Sequence, residues 1–61
     1  MNNIELLTVD EVAAFLRISR DRMYEIVRSG AIRSFRVCKL IRINKADLMS
    51  FMEEQRQYTA V

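Results

Sequence analysis

Apolar positions along this chain change their spacing between segments, and the changes mark its elements. Val12, Ala13 and Leu16 recur at helical spacing, as do Met23, Ile26 and Val27, and later Leu48, Phe51 and Met52. Between the second and third sets, Phe35, Val37, Ile41 and Ile43 are apolar while Arg36 and Arg42 stand between them. That period of two is the mark of half-buried strands.

Capping chemistry places the helix starts. Thr8 with Glu11 three positions on is a capping box, and Leu7 and Val12 flank it as a hydrophobic staple, which predicts a helix over 9–16. Asp10 and Glu11 suit the positive end of its dipole. Ser19, with Ile18 and Met23 as its staple, starts a second helix from 20 to about 28, and Gly30 is its natural stop. Only Arg17-Ile18-Ser19 separates the two, short enough for a helix-turn-helix. Asn44, with Asp47 following and Ile43 and Leu48 as the staple, starts a third helix from 45 to about 56. If Phe35, Val37, Ile41 and Ile43 share a face, Val37 opposes Ile41 and Cys38-Lys39-Leu40 forms a three-residue loop. Such a loop normally wants a glycine, and none is present there. The order is helix, turn, helix, hairpin, helix: a mainly α fold with a small β-hairpin, the layout of a winged helix-turn-helix.

With 61 residues and no linker or repeat, the chain is expected to form one domain over 1–61, its core over 6–56 and its ends frayed. A domain this small buries only about 60% of its unfolded surface, leaving little room for an enclosed cavity. The composition, 51% hydrophobic and 30% charged, is that of a globular chain. No apolar run approaches the roughly 20 residues that span a bilayer. Met1-Asn2-Asn3-Ile4-Glu5 lacks the form of a secretory signal, so a cytoplasmic location is expected, with no membrane partner. Cys38 is the single cysteine and there is no histidine, which rules out an internal disulfide and argues against a Cys/His metal site. Histidine-dependent nucleophilic catalysis is excluded with them. Neither a cofactor nor enzymatic activity is expected.

Charge changes the picture more. The formal net charge is only +2, but Arg17 to Lys45 holds nine basic and two acidic residues, a local balance of +7, while the remainder balances at −5. A basic block between acidic ends is the footprint of a nucleic-acid-binding face.

Leu7-Thr8-Val9-Asp10-Glu11-Val12-Ala13 followed by Leu16-Arg17-Ile18-Ser19 resembles the opening of the excisionase-like branch of the MerR-type DNA-binding domains. Met23-Tyr24-Glu25-Ile26-Val27-Arg28-Ser29-Gly30 resembles that branch's second helix, and Phe35-Arg36-Val37, Arg42-Ile43 and Ala46-Asp47-Leu48 its wing and third helix. The resemblance covers roughly residues 6–52. It departs at Cys38, where the family usually carries glycine, and at Ile41, near its usual aromatic, which leaves the shape of the wing tip open. What it implies is binding of double-stranded DNA, with the second helix in the major groove and the wing on the adjacent minor groove or backbone. Family members include excisionases that bend DNA and set the direction of site-specific recombination, small transcriptional regulators and phage DNA-packaging subunits.

A helix in the major groove touches base edges mainly through its N-terminal residues. Arg20 and Arg22 are therefore the candidates for readout, since arginine pairs bidentately with guanine O6 and N7. Tyr24 is a candidate for a phosphate or a thymine methyl, Glu25 for cytosine N4 or a neighbouring arginine, and Ser19 with the helix start for a phosphate. Arg17 and Arg28, with Arg33, complete a basic cluster across the helix-turn-helix and its exit. On the hairpin, Arg36, Lys39 and Arg42 are candidates for phosphate or minor-groove contact. The competing reading makes the helix charges a solvated surface and the hairpin charges guards of an edge strand. Leu40 at the wing tip reads either as an ordinary exposed side chain, as a packing contact with a neighbouring protomer, or as a minor-groove wedge. Met23 and Met52 read as core fillers, and Glu53 to Val61 as a helix end running into a tail.

Two DNA-binding roles follow, and one of another class. The first is an excisionase that bends DNA at repeated sites, associates cooperatively with itself and positions an integrase; the expected bareness of the domain after its wing favours it. The second is a small MerR-like transcriptional regulator. The third is an adaptor whose helical face docks on protein.

Overall fold

The computed structural model describes residues 5–56. Its elements run β1 (Leu6–Thr8), α1 (Val9–Leu16), α2 (Arg20–Ser29), β2 (Phe35–Val37), β3 (Leu40–Asn44) and α3 (Lys45–Arg56). The strands form one antiparallel sheet in the order β1-β3-β2. The chain is a mainly helical winged helix-turn-helix. The expected ends, with the tail over 57–61, lie outside the described residues.

The helix boundaries follow the capping chemistry. Thr8 N donates to Glu11 Oε1 at 2.8 Å and Glu11 N donates to Thr8 Oγ1 at 3.0 Å, the reciprocal pair of a capping box. Arg22 N donates to Ser19 Oγ at 3.1 Å and so opens α2. Gly30, at φ 82°, closes it by donating its N–H to the Val27 carbonyl at 3.1 Å. At α3 the Asn44 side chain accepts from Ala46 N at 2.9 Å, one position earlier than Asp47. The end of α1 was not foreseen in this form. Arg17 takes the left-handed conformation at φ 61° and donates to the Ala13 and Ala14 carbonyls, a post that glycine usually fills.

Val9, Val12 and Ala13 of α1 meet Met23 of α2, Ile32 of the loop, Ile43 of β3 and Leu48 of α3 in the core. Met23, Ile43 and Val12 have no accessible surface. Leu16, Ile26, Val27, Phe51 and Met52 pack around them, half-buried. Among the described residues no polar or charged side chain is buried.

The sheet departs from the sequence reading in two ways. First, β1 was not anticipated. It pairs Leu6 with Asn44, Leu7 with Ile43 and Thr8 with Arg42, so Leu7 belongs to a strand and packs from there against the core. Second, the hairpin loop is Cys38-Lys39, two residues rather than three, because Val37 pairs with Leu40 instead of Ile41. A slip of one position turns one strand over relative to the other. Arg36 therefore shares a face with Ile41, while Phe35 and Val37 share the other with Arg42 and Leu40. Phe35 and Val37 are accordingly exposed rather than core residues, as are Leu6 and Leu40.

The turn explains the change. Cys38 has φ 60°, and it and Arg17 are the non-glycine residues with positive φ among those described, so Lys39 keeps a negative φ. Positive φ at the first central residue alone is the type II′ pattern, which fits the strand twist and favours glycine at that place. Cys38 fills a glycine position at a steric cost.

Replacing Cys38 with glycine is expected to raise stability by about 0.5–1 kcal/mol, because relief of left-handed strain outweighs the added freedom of the unfolded chain; urea denaturation measures this. Met23→Ala is expected to cost about 2–5 kcal/mol, enough to threaten folding in a core this small; its urea midpoint should fall sharply or its transition disappear.

Candidate nucleic-acid interface

The first turn of α2 stands next to the hairpin and to the start of α1, and an open groove of about 350 Å³ runs between them. Arg20 and Tyr24 border it from α2, Arg36 and Lys39 from the hairpin, and Arg42 from β3. The Thr8–Asp10 segment closes its far side. A second groove, of about 380 Å³, has Arg28 and Val27 of α2 on one wall and Ser34, Phe35, Arg36 and Ile41 on the other. Arg36 borders both grooves because the two-residue turn points it to the same side as Ile41, toward α2.

Arg20 is the most constrained of these cations. Its Nε donates to Asp10 Oδ1 at 2.9 Å, and its guanidinium carbon lies 5.9 Å from the centre of the Tyr24 ring. The hydrogen bond with Tyr24 raises the Arg20 pKa above its already high ordinary value, and the Asp10 carboxylate adds to the rise. Arg22, by contrast, reaches only Glu25 on its own helix, Nε to Oε1, at 4.0 Å, and both remain exposed. Arg42 is half-buried and donates Nη1 to the Ile41 carbonyl at 3.0 Å, so part of it lies along its own strand.

The candidates thus divide. Arg20, Tyr24, Arg36, Lys39 and Arg42 come together on the first groove, and Arg28 joins Arg36 on the second. Arg22 and Glu25 stand exposed on α2 outside both, while Ser19 caps that helix and Arg17 closes α1. Ser19 spends its hydroxyl on Arg22 N, so what it leaves for a phosphate is backbone. Arg33 leaves the cluster: it borders a different groove, beside Asp47 and Glu54 of α3. Asp10 is the site residue that sequence reasoning missed. In the sequence its place in the first turn of α1 marks it only as a helix-dipole charge, and its pairing with Arg20 arises when α1 and α2 fold together.

A family model described as a helix-turn-helix domain matches residues 6–56. The chain belongs to the helix-turn-helix domain family. That is a DNA-binding family which includes excisionase-like proteins, and its members are typically not enzymes. Among curated proteins, this helix-turn-helix chain is 29% identical over 56 residues to the uncharacterized protein YvgK of Bacillus subtilis (strain 168). The match takes in 92% of the chain but spans only 18% of that relative's length. No solved structure matches the chain. Among the described residues, no helix is long and apolar enough to cross a membrane.

Because Arg36 borders both grooves, Arg36→Ala is expected to weaken duplex binding more than Arg28→Ala or Lys39→Ala. Its loss should be similar on selected and random DNA, with the salt slope falling by about 1. Fluorescence anisotropy titrations at several salt concentrations test this.

Proposed function

We propose that this helix-turn-helix chain is an excisionase, a recombination directionality factor that reads a specific duplex sequence, bends it and positions an integrase. The observation that carries the DNA-binding part is the meeting of Arg20, Arg36, Lys39 and Arg42 on one open groove between α2 and the hairpin. In this reading α2 enters the major groove. Arg20 and Arg22 read base edges, Tyr24 and Glu25 assist them, and Arg28 meets the backbone. Arg17 and the backbone at Ser19 approach a phosphate before α2, and Arg36, Lys39 and Arg42 hold the adjacent strand or minor groove.

Bending draws support from the wing tip. Leu40 is 54% exposed next to Lys39, an apolar side chain placed beside a cation at the end of a hairpin. Apolar wedges inserted between base steps unstack them and kink the duplex. The resemblance of the α1–α2 segment to excisionases supports the recombination role, and cooperative self-association on repeated sites belongs to it.

A second reading, a MerR-like transcriptional regulator, is favoured by one finding: in the Bacillus subtilis relative, the matching region occupies only 18% of a longer chain. DNA-reading domains joined to other regions suit regulation. The two readings share the interface and differ in what binding does to the duplex.

Two measurements separate the alternatives. With about five phosphates neutralised, log K should fall with log salt at a slope of roughly −4 to −5, whereas a protein-docking adaptor would show a flat response. On selected sites, an excisionase should give cooperative protection of tandem sequences and position-dependent gel mobility from a bend. A lone, non-cooperative footprint on straight DNA would favour the regulator. Within the interface, Arg22→Ala should weaken specific binding by about 1–3 kcal/mol and relax selectivity at one base pair. Equal loss on random duplex would reassign Arg22 to the backbone.

A further inference from the structure

We infer that Asp10 is a positioning residue for base readout, holding Arg20 by its Nε edge so that the far end of the guanidinium is presented to a guanine. This rests on the DNA-binding reading of the groove and names the residue that sets specificity within it.

Asp10 is a carboxylate on the wall of a groove whose other charged side chains, Arg20, Arg36, Lys39 and Arg42, are all cationic. An uncompensated acid there would repel phosphate. Asp10 adds only modestly to the fold, as a first-turn charge on the α1 dipole, and its pair with Arg20 adds little more, since the two side chains are 62% and 65% exposed. Exposed ion pairs contribute little to stability. The geometry is nevertheless specific: Nε to Oδ1 is 2.9 Å, with the Tyr24 ring centre 5.9 Å from the guanidinium carbon. Carboxylate and ring together restrict a side chain that would otherwise sample many rotamers.

Arginine carries five N–H donors. Asp10 takes the one on Nε and Tyr24 takes another, and the donors that remain on the terminal nitrogens serve the O6 and N7 acceptors of guanine. Holding the side chain beforehand lowers the ordering cost that binding would otherwise meet. Arg20 is also the first residue of α2, where a groove-lying helix reads bases. Arg22 has no comparable support, since Glu25 stands at 4.0 Å on the same helix. Asp10 itself sits in the first turn of α1, fixed by the Thr8–Glu11 capping box.

The test starts by selecting sites from a random duplex pool with the wild-type chain. The base pair whose selectivity Arg20→Ala relaxes is then identified. Affinities of Asp10→Asn, Asp10→Glu and the Asp10→Asn/Arg20→Ala double variant are measured on the selected site and on its three alternatives at that base pair. A bidentate arginine–guanine pair discriminates by roughly fivefold to a hundredfold. Asp10→Asn should lose about fivefold or more of that ratio at that base pair and leave the other positions unchanged. It should add nothing once Arg20 is alanine, and Asp10→Glu should restore part of the ratio. Thermal melting should fall by no more than a few degrees, the share of a single first-turn dipole charge, and the chain should remain fully folded at the temperature of the binding measurements. The inference is overturned if Asp10→Asn tightens every duplex equally, which is what simple removal of a negative charge would do. It is also overturned if discrimination at that base pair survives, or if Arg20→Ala weakens all sequences alike. Failure of the wild-type chain to bind duplex in dilute salt would instead bring down the DNA-binding reading, and this inference with it.

Discussion

β3 holds the molecule together: it bonds to β1 along one edge and to β2 along the other, and its Ile43 lies at the centre of the core with no accessible surface. Its register against β2 decides which side chains of the wing face the helices. That register is set by two residues, Cys38 and Lys39, and by the positive φ of the first. One more loop residue would turn Phe35 and Val37 inward and Arg36 out, and the two grooves beside α2 would lose the cation they share. The place of Arg36 on both grooves is thus a consequence of a backbone angle at the wing tip.

Folding also sorts the charges that the chain carries in one block. Arg20, Arg36, Lys39 and Arg42 border one groove, while Arg33, from the same basic stretch, goes to the α3 side beside Asp47 and Glu54. Lys45 turns back to the start of the sheet, where it pairs with Glu5 at 3.4 Å and its backbone N donates to the Glu5 carbonyl at 2.9 Å. The acidic flanks therefore engage the last cation of the block, Lys45, and stand beside Arg33. Within the groove Asp10 is the exception, and it is occupied by Arg20.

The helices were legible because their signals are local. Thr8 with Glu11, Ser19, and Gly30 each act within a few positions of the backbone they cap, and the structure uses all of them. The strands were less legible. Leu6-Leu7-Thr8 is too short to show alternation and runs straight into Val9, so nothing in its pattern distinguishes a strand from a helix lead-in. The hairpin register was misread because parity favours keeping Phe35, Val37, Ile41 and Ile43 together, and the tight turn that separates them carries cysteine where glycine would have announced it. At the candidate site, the basic block marked a stretch of sequence but not which of its members converge on one groove. Asp10 escaped because its local role as a dipole charge was already sufficient, and its partner Arg20 lies ten positions away on another helix.

The interior is built from Val9, Val12, Ala13, Met23, Ile32, Ile43 and Leu48, none of which can gain or lose a proton, and among the described residues no buried side-chain polar atom lacks a partner. The apolar centre and the exposed charged side chains of α2 and the hairpin are therefore chemically separate. Under the proposed DNA-binding reading, those exposed side chains can be exchanged with little disturbance to the centre, which makes this small frame a candidate for retargeting to new duplex sequences.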